Sequence, residues 1–286
     1  MIVIPSGLAA AEALAGRELA LARVAWNNLL RDLTATSITA SGETADGPAD
    51  AALSPDTYTF WEPDVLPAIW VITLAAASEI GFVGIAEHTL GTAGASILVE
   101  TSDGSTTGGS PDSDDVTIWT LWSDYHSPTD DAPILLLDSP RTVTQIRLTI
   151  DGGTALPRLA VIAAGPLMAM QTKIRGPGFR PLTMSRETTM KRTLSRGGQF
   201  LGQEIRRQGV TGSVSFEHLE SDWVRETFMP FVTAAVRYPY FFAWRPLEYP
   251  LEVAYVWTTS GDIRPQYMGV LDLMNVSWDM AGMADE

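Results

Sequence analysis

Short runs of bulky, β-branched and aromatic residues recur along this chain, each bounded by Pro, Gly or small polar residues. The first are Ala68-Ile-Trp-Val-Ile-Thr-Leu74 and Ile80-Gly-Phe-Val-Gly-Ile-Ala86. Val116-Thr-Ile-Trp-Thr-Leu-Trp122, Ile134-Leu-Leu-Leu137, Val143-Thr-Gln-Ile-Arg-Leu-Thr-Ile150 and Leu159-Ala-Val-Ile-Ala163 repeat the rhythm. Runs of this length and composition predict strands, and their spacing predicts an all-β sandwich. Further along, Val210, Gly212, Val214 and Phe216 alternate with Thr211, Ser213 and Ser215, the period of a half-buried strand. Aromatic runs at Tyr238–Trp244, Val253–Trp257 and Tyr267–Trp278 predict closing strands. Two stretches read as helix. Residues 9–22 have high helix propensity despite Gly16, and Ser221–Ala235 carries Trp223, Val224, Phe228, Phe231 and Val232 near helical spacing. Ser221 is the expected N-cap of the second, and Pro230 its expected kink or early stop.

Charge divides the chain more sharply than turns do. Residues 1–165 hold 6 Arg and no Lys against 21 Asp plus Glu, so the whole formal charge of −15 sits there, while residues 166–286 hold 13 of each sign. The division expected is an N-terminal helix or arm over 1–22, a first β unit over 23–165 and a second over 166–286. An acidic first unit repels phosphates and argues against nucleic-acid binding. Within the second, Lys173–Arg207 carries nine bases and two acids with only Phe179 and Phe200 interleaved, and no DNA-reading motif accompanies them. This basic arm, 173–207, is expected to contact other protein subunits, with Arg180, Arg186, Lys191, Arg192 and Arg196 as the docking residues. Tyr238, Tyr240, Phe241, Phe242 and Trp244 are expected to divide between core on one strand face and subunit contact on the other, with Tyr240 and Phe242 placed at the interface.

Chemistry-bearing motifs are few. The chain has no cysteine, so disulfides and thiolate sites are excluded. His88, His126 and His218 lack a metal-ligand spacing, and no nucleophile elbow, phosphate loop or dinucleotide fingerprint occurs. The adjacent acids Asp114-Asp115 and Asp130-Asp131 read as solvated loop residues rather than a glycosidase pair. The expectation is a protein that is not an enzyme and needs no cofactor. The longest apolar stretch, Leu66–Ala77, is too short to span a bilayer, and the amino terminus lacks a signal peptide's basic flank, so no membrane insertion is expected.

Ala51-Ala-Leu53, Trp61, the Trp70–Leu74 run, Val83-Gly-Ile85 and Ser102-Asp-Gly104 resemble the discoidin-type, galactose-binding-like jelly roll. The resemblance implies a sandwich whose loops face a partner. It places Trp61 in the core and leaves Trp122 and Tyr125 as the aromatics for stacking on a glycan. It also implies a structural calcium ion as a candidate, with Asp46, Asp50 and Asp56 in the corresponding loop, although they lack an EF-hand's alternating pattern.

The second unit carries Gly198-Gln-Phe-Leu-Gly202, then the helix, then Pro239-Tyr-Phe-Phe-Ala-Trp244 and a final strand pair. This order resembles the distal-tail and tail-tip proteins of long-tailed bacteriophages, in which a β-barrel or sandwich domain contains one short helix. The family usually places that domain first and a sugar-binding-like module later; here the order is reversed. The resemblance implies a mainly β virion protein, made in the host cytoplasm. It would form a ring at the distal end of the tail, hexameric as the first reading and trimeric as the second. That ring would link the tail tube to the hub and receptor-binding proteins. The alternative is a carbohydrate-binding adsorption protein of the tail tip that recognises a host glycan through its jelly roll.

Overall fold

The computed structural model describes residues 1–4, 21–107, 116–126, 129–130, 133–176, 178–269 and 272–283. Most of the helix expected over 9–22 therefore lies outside the described residues, as do Asp114, Asp115 and Asp131. The strands in chain order are β1 (Ile2–Val3), β2 (Arg23–Ala25), β3 (Ile38–Ala40), β4 (Ala68–His88), β5 (Ala95–Ser102), β6 (Thr106–Thr107), β7 (Val116–Thr117), β8 (Thr120–His126) and β9 (Ile134–Gly152). They continue with β10 (Leu159–Gly165), β11 (Met168–Ala169), β12 (Arg186–Leu194), β13 (Phe200–Glu220), β14 (Tyr240–Ala243), β15 (Val253–Thr258), β16 (Gln266–Tyr267) and β17 (Leu273–Met283). The protein is mainly β, as the residue pattern predicts.

β4 and β9 are 21 and 19 residues long, and each is two strands in one. The ladder between them breaks at Thr73/Ser78 and again at Ile80/Phe82. Before the breaks, Ala68–Thr73 of β4 pairs with Gln145–Ile150 of β9. β3 flanks this part of β4, while β5 and then β8 extend from β9. After the breaks, Phe82–Ile85 pairs with Ile134–Leu137, β10 flanks β4, and β1 joins β9 in parallel at Leu135 and Leu136. One hydrogen-bonded sheet is thereby folded into the two leaves of a sandwich. Trp61, Trp70, Ile72, Ile146 and Leu148 meet Val83, Ile85, Leu136 and Ile162 between the leaves.

The second sheet runs β11-β2-β14-β15-β17-β13-β12, with β16 on β17. β11 and β12 end this path, so the sheet is open and the barrel alternative does not apply. Arg23–Ala25, at the start of the range expected for the first unit, pairs with β14 and β11 in this second sheet. Helical residues Ser221–Trp223 (α1) and Met229–Ala235 (α2) are joined by a π-turn at Val224–Phe228. Pro230 lies just inside α2 and does not end it; the wider π-turn before it accommodates its missing N–H and its ring. Ser221 is not the N-cap: Glu220 holds that place, and the Ser221 hydroxyl accepts from Arg225 Nη1 at 3.0 Å. The helix packs Phe228 and Phe231 onto Trp278, whose indole donates to the Tyr240 hydroxyl at 3.0 Å.

The far leaf of the sandwich is buried on both faces, which is why Ile80–Ala86, Ile134–Leu137 and Leu159–Gly165 are continuously apolar rather than alternating. Ile80, Val83, Ile85 and Leu136 point into the sandwich. Phe82, Ala86, Leu135, Leu137 and Ala163 point the other way, onto Phe241, Ala243, Val253 and Tyr255 of the second sheet. β14 shows the matching split, with Tyr240 and Phe242 in the second core and Phe241 and Ala243 in this shared layer. The apolar outer face of β14 thus packs against the chain's own sandwich. Contact is close enough that a Cβ on Gly84 would lie 2.6 Å from the Phe241 ring.

Phe241→Ala is expected to destabilise the protein by about 3–5 kcal/mol, the range for emptying a buried aromatic site. Gly84→Ala should cost about 1–3 kcal/mol by overpacking the same contact. Denaturant unfolding of both variants measures these losses; an unchanged midpoint for either would show that the layer is not tightly packed.

Candidate functional site

Two surfaces stand out, and neither is catalytic in form. The first is a β-ribbon. β12 pairs along its whole length with β13, from Arg186↔Val210 to Leu194↔Phe200, and the reversal at residues 195–199 is closed by Ser195 N–H to Gln199 O (2.8 Å) and Gly198 N–H to Ser195 O (2.9 Å). β17 pairs with β13 from Gly209 onward. Among the described residues, 200–208 therefore has β12 as its strand partner and nothing on its other edge. Residues 186–208 form an arm running on beyond the sheet.

Register makes this arm two-faced. Arg186·Val210, Thr188·Gln208, Met190·Ile205, Arg192·Gln203 and Leu194·Phe200 share one face, while Glu187·Gly209, Thr189·Arg207, Lys191·Glu204 and Thr193·Gly202 share the other. The first face continues the core side of β13, where Val210, Val214 and Phe216 are buried. On the arm nothing among the described residues covers it: Leu194, Ile205 and Phe200 are 59%, 52% and 63% exposed. Leu201, left unpaired at a bulge, is 64% exposed.

The predicted docking residues separate into two groups. Arg180, Arg186, Lys191, Arg192 and Arg196 are all exposed. Arg186, Lys191, Arg192 and Arg196 lie on the arm or its turn, and Arg180 lies before it. Tyr240 and Phe242 are corrected: they are 1% and 2% exposed and belong to the second core. Burial also raises the Tyr240 phenol well above its ordinary range, so it stays neutral there.

The second surface is a cleft of about 310 Å³ in the first sandwich, lined by Thr101, Asp103, Ser105, Ile118, Thr120, Arg141, Thr142 and Val143. Its polar groups are held in place. The Ser105 N–H donates to Asp103 Oδ1 at 2.8 Å, closing a turn in which Gly104 takes a φ of +92° that favours glycine. Hydrogen bonds from Ser105, the hydroxyl first and the N–H next, hold the Asp103 carboxyl below its usual range. Arg141 Nη1 donates to Leu121 O at 3.1 Å and its other amino group pairs with Asp138, while the guanidinium lies 4.7 Å from the Trp122 ring centroid. Asp103 and Arg141, which line this cleft, carry no motif of their own in the sequence. Ser102-Asp-Gly104 was the available signal, a turn that fixes a carboxylate beside a strand end.

Trp122 does not face a ligand. It is 3% exposed and packs in the sandwich core, and among the described residues its Nε1 has no hydrogen-bond partner. The reason is a bulge: Val99 pairs with Ser123 and Glu100 with Leu121, so Trp122 is the extra residue and its side chain turns inward. Tyr125 is half-buried against the same core. Trp119 lies between strands, with the Arg147 guanidinium 4.3 Å from its ring centroid. Trp61 is fully buried, as the resemblance implied.

Asp46, Asp50 and Asp56 do not assemble a cation site; among the described residues no three His, Asp or Glu side chains gather where they could hold a metal. Asp56 Oδ1 instead accepts from the Tyr58 N–H (3.1 Å), the Thr59 N–H (3.0 Å) and the Thr59 hydroxyl (2.9 Å). The histidines sit on three different strands, β4, β8 and β13; His88 is buried and His126 exposed, while His218 has a φ of +61° at the bulge between Phe216 and Leu219. No helix among the described residues is long and apolar enough to cross a membrane.

No protein-family model and no curated protein matches the chain. Among solved structures, a family 32 carbohydrate-binding module from C. perfringens NanJ, in complex with galactose, is similar over 51% of this chain and 99% of that one, at 17% identity and a TM-score of 0.40. A chitosan-binding module from a chitosanase/glucanase of Paenibacillus sp. IK-5 is similar over 48% and 98%, at 22% identity and 0.37. An α-L-fucosidase assigned to Bacteroides thetaiotaomicron is similar over 49% of this chain and 28% of its own, at 19% identity and 0.34. These likenesses span about half of this chain, and what those proteins bind or cleave is a property of theirs.

Trp122→Ala is expected to lower stability by about 3–5 kcal/mol, as removal of a core indole does. Denaturant unfolding checks it; a variant as stable as the parent would put Trp122 back on the surface.

Proposed function

We propose that this chain is a non-catalytic assembly protein that docks through its 186–208 arm onto the acidic first sandwich of neighbouring copies. The observation that carries this reading is the arm itself. A two-stranded ribbon is marginal in water, and this one leaves Leu194, Phe200, Leu201 and Ile205 uncovered. It carries six bases against two acids, while residues 1–165 hold the whole net negative charge. Apolar side chains flanked by one sign of charge, matched by the opposite sign elsewhere on the molecule, favour an interface between copies. Because donor and acceptor are different surfaces, the contact is heterologous and forms a ring when its rotation closes. The setting we propose is the one that the sequence resemblance implies: a ring at the distal end of a long bacteriophage tail, six copies first and three second, between tube, hub and receptor-binding proteins.

Reversing Arg186, Lys191 and Arg192 together to Glu should weaken self-association at least about tenfold at low salt. The deficit should narrow as salt rises, because exposed charges are screened. Sedimentation across protein concentration reads the effect, with an unchanged unfolding midpoint as the control. Assembly that ignores the reversal would discard the arm as the contact.

A second reading, recognition of a glycan by the first sandwich, is favoured by the 310 Å³ cleft. A carboxylate, a guanidinium and the hydroxyls of Thr101, Ser105, Thr120 and Thr142 there suit a polyol, and Ile118 offers an apolar patch for a sugar's C–H face. Asp103→Asn, at an exposed residue, should abolish saturable binding on a glycan array without changing stability. An array on which the intact protein binds nothing would remove this reading and leave the assembly reading standing.

A further inference from the structure

We propose that Tyr58 of one copy inserts into an aromatic cleft beside Trp244 of a second copy, a head-to-tail contact separate from the arm; this deepens the assembly reading and rests on it. Tyr58 is 90% exposed, more than any other large apolar or aromatic side chain described. The turn that carries it is hydrogen-bonded. Asp56 caps the turn beneath it through the three hydrogen bonds given above and a fourth from the Ser54 hydroxyl. The foot of the loop is tied to the second sheet, where the Tyr255 hydroxyl donates to Pro55 O at 2.8 Å. A tyrosine on a hydrogen-bonded turn has only its own side-chain freedom to lose on binding, and tyrosine is among the residues that carry most interface energy.

The acceptor is a cleft of about 320 Å³ between Lys173, Ile174, Gly176, Gly178 and Phe179 on one side and the residues after β14 on the other. Ile174, Phe179 and Trp244 wall it; Phe179 and Trp244 have ring centroids 5.0 Å apart, and Trp244 is backed by Tyr249, stacked at 5.1 Å with planes 2° apart. Such walls suit a third ring. Lys173 and Arg245 line the rim, Arg245 also reaching Glu248 at 2.7 Å.

Charge selects a second copy as the occupant. Residues 41–64, which surround Tyr58 in sequence, hold six acids and no base; the segment 171–180, from which Lys173, Ile174 and Phe179 line the cleft, holds three bases and no acid. Opposite signs around a knob and its hole favour that pairing over like-charged alternatives.

The absence of cysteine gives a clean test. A Thr57→Cys chain, which keeps the Tyr58 ring, is mixed with a Gly176→Cys chain under mild oxidation. Gly176 lines the cleft and has open space where a side chain would go. Disulfide-linked pairs should form at least about five times faster than in a control mixture using Gly261→Cys, another glycine with open space around it. In parallel, Tyr58→Ala should raise the dissociation constant for self-association about tenfold, and Tyr58→Phe much less. Equal cross-linking in the two mixtures, or Tyr58→Ala assembling at parental strength, would overturn this contact while leaving the arm reading intact. A parent chain that stays monomeric at every concentration, with no preferential cross-link, would overturn both.

Discussion

Everything in this architecture depends on one leaf of sheet that is buried on both sides. The second half of β4 and the first part of β9, with β10, send alternate side chains into the sandwich and onto the second sheet, so neither unit owns that leaf alone. Removing the second sheet would expose Phe82, Leu135, Leu137 and Val161 together. A contiguous apolar patch of that kind is uncommon on a monomer. The charge boundary near residue 165 is therefore a boundary of composition and not of packing.

The arm follows from the same alternation carried past its cover. On β13 the face that holds Val210, Val214 and Phe216 packs with Leu182 and the helix residues Phe228 and Phe231, whereas residues 200–208 keep the pattern with no cover among the described residues. Natural sheets blunt free edges with charge, and here Arg and Lys interrupt the apolar positions on both faces of the ribbon. Charge of one sign does this without forbidding contact altogether: it repels a second arm and admits an acidic partner.

Strand positions were legible in the sequence because composition and turn residues mark them locally. What was not legible was which runs join and which way each face looks. Leu74 and Ile80 read as the end and the start of separate strands, yet they belong to one long strand that bends where 74–77 bulge out of the ladder. Tyr240-Phe-Phe-Ala243 reads as core plus subunit contact; the partner on its outer face turned out to be Phe82 and Leu135, more than 100 residues earlier in the same chain. Periodicity gives alternation and cannot name the partner. Trp122 failed for a smaller reason, since a bulge rotates one residue out of phase and leaves no mark in composition. The arm's exposure was likewise invisible, because an uncovered amphipathic ribbon and a buried one have the same sequence pattern.

A closed assembly needs more than matching surfaces: the angle between a copy's donor and its acceptor must repeat without drift, or the contact propagates as an open filament. This chain fixes that angle with three ties. Only two residues separate β10 from β11, so the crossing between sheets has no slack. The Asn28 side chain accepts from Ala164 N–H (3.2 Å) and Leu30 N–H (3.0 Å), tying the segment after β2 to the end of β10. Gly165 sits where a Cβ would fall 1.9 Å from Asn27 O, so the two backbones touch at the crossing. With the shared apolar layer behind them, these contacts join the sandwich to the arm-bearing sheet. A protein working through a tethered lectin module would be better served by a flexible linker at this point. The chain instead places a close backbone contact there, which is the arrangement that the ring subunit proposed above would require.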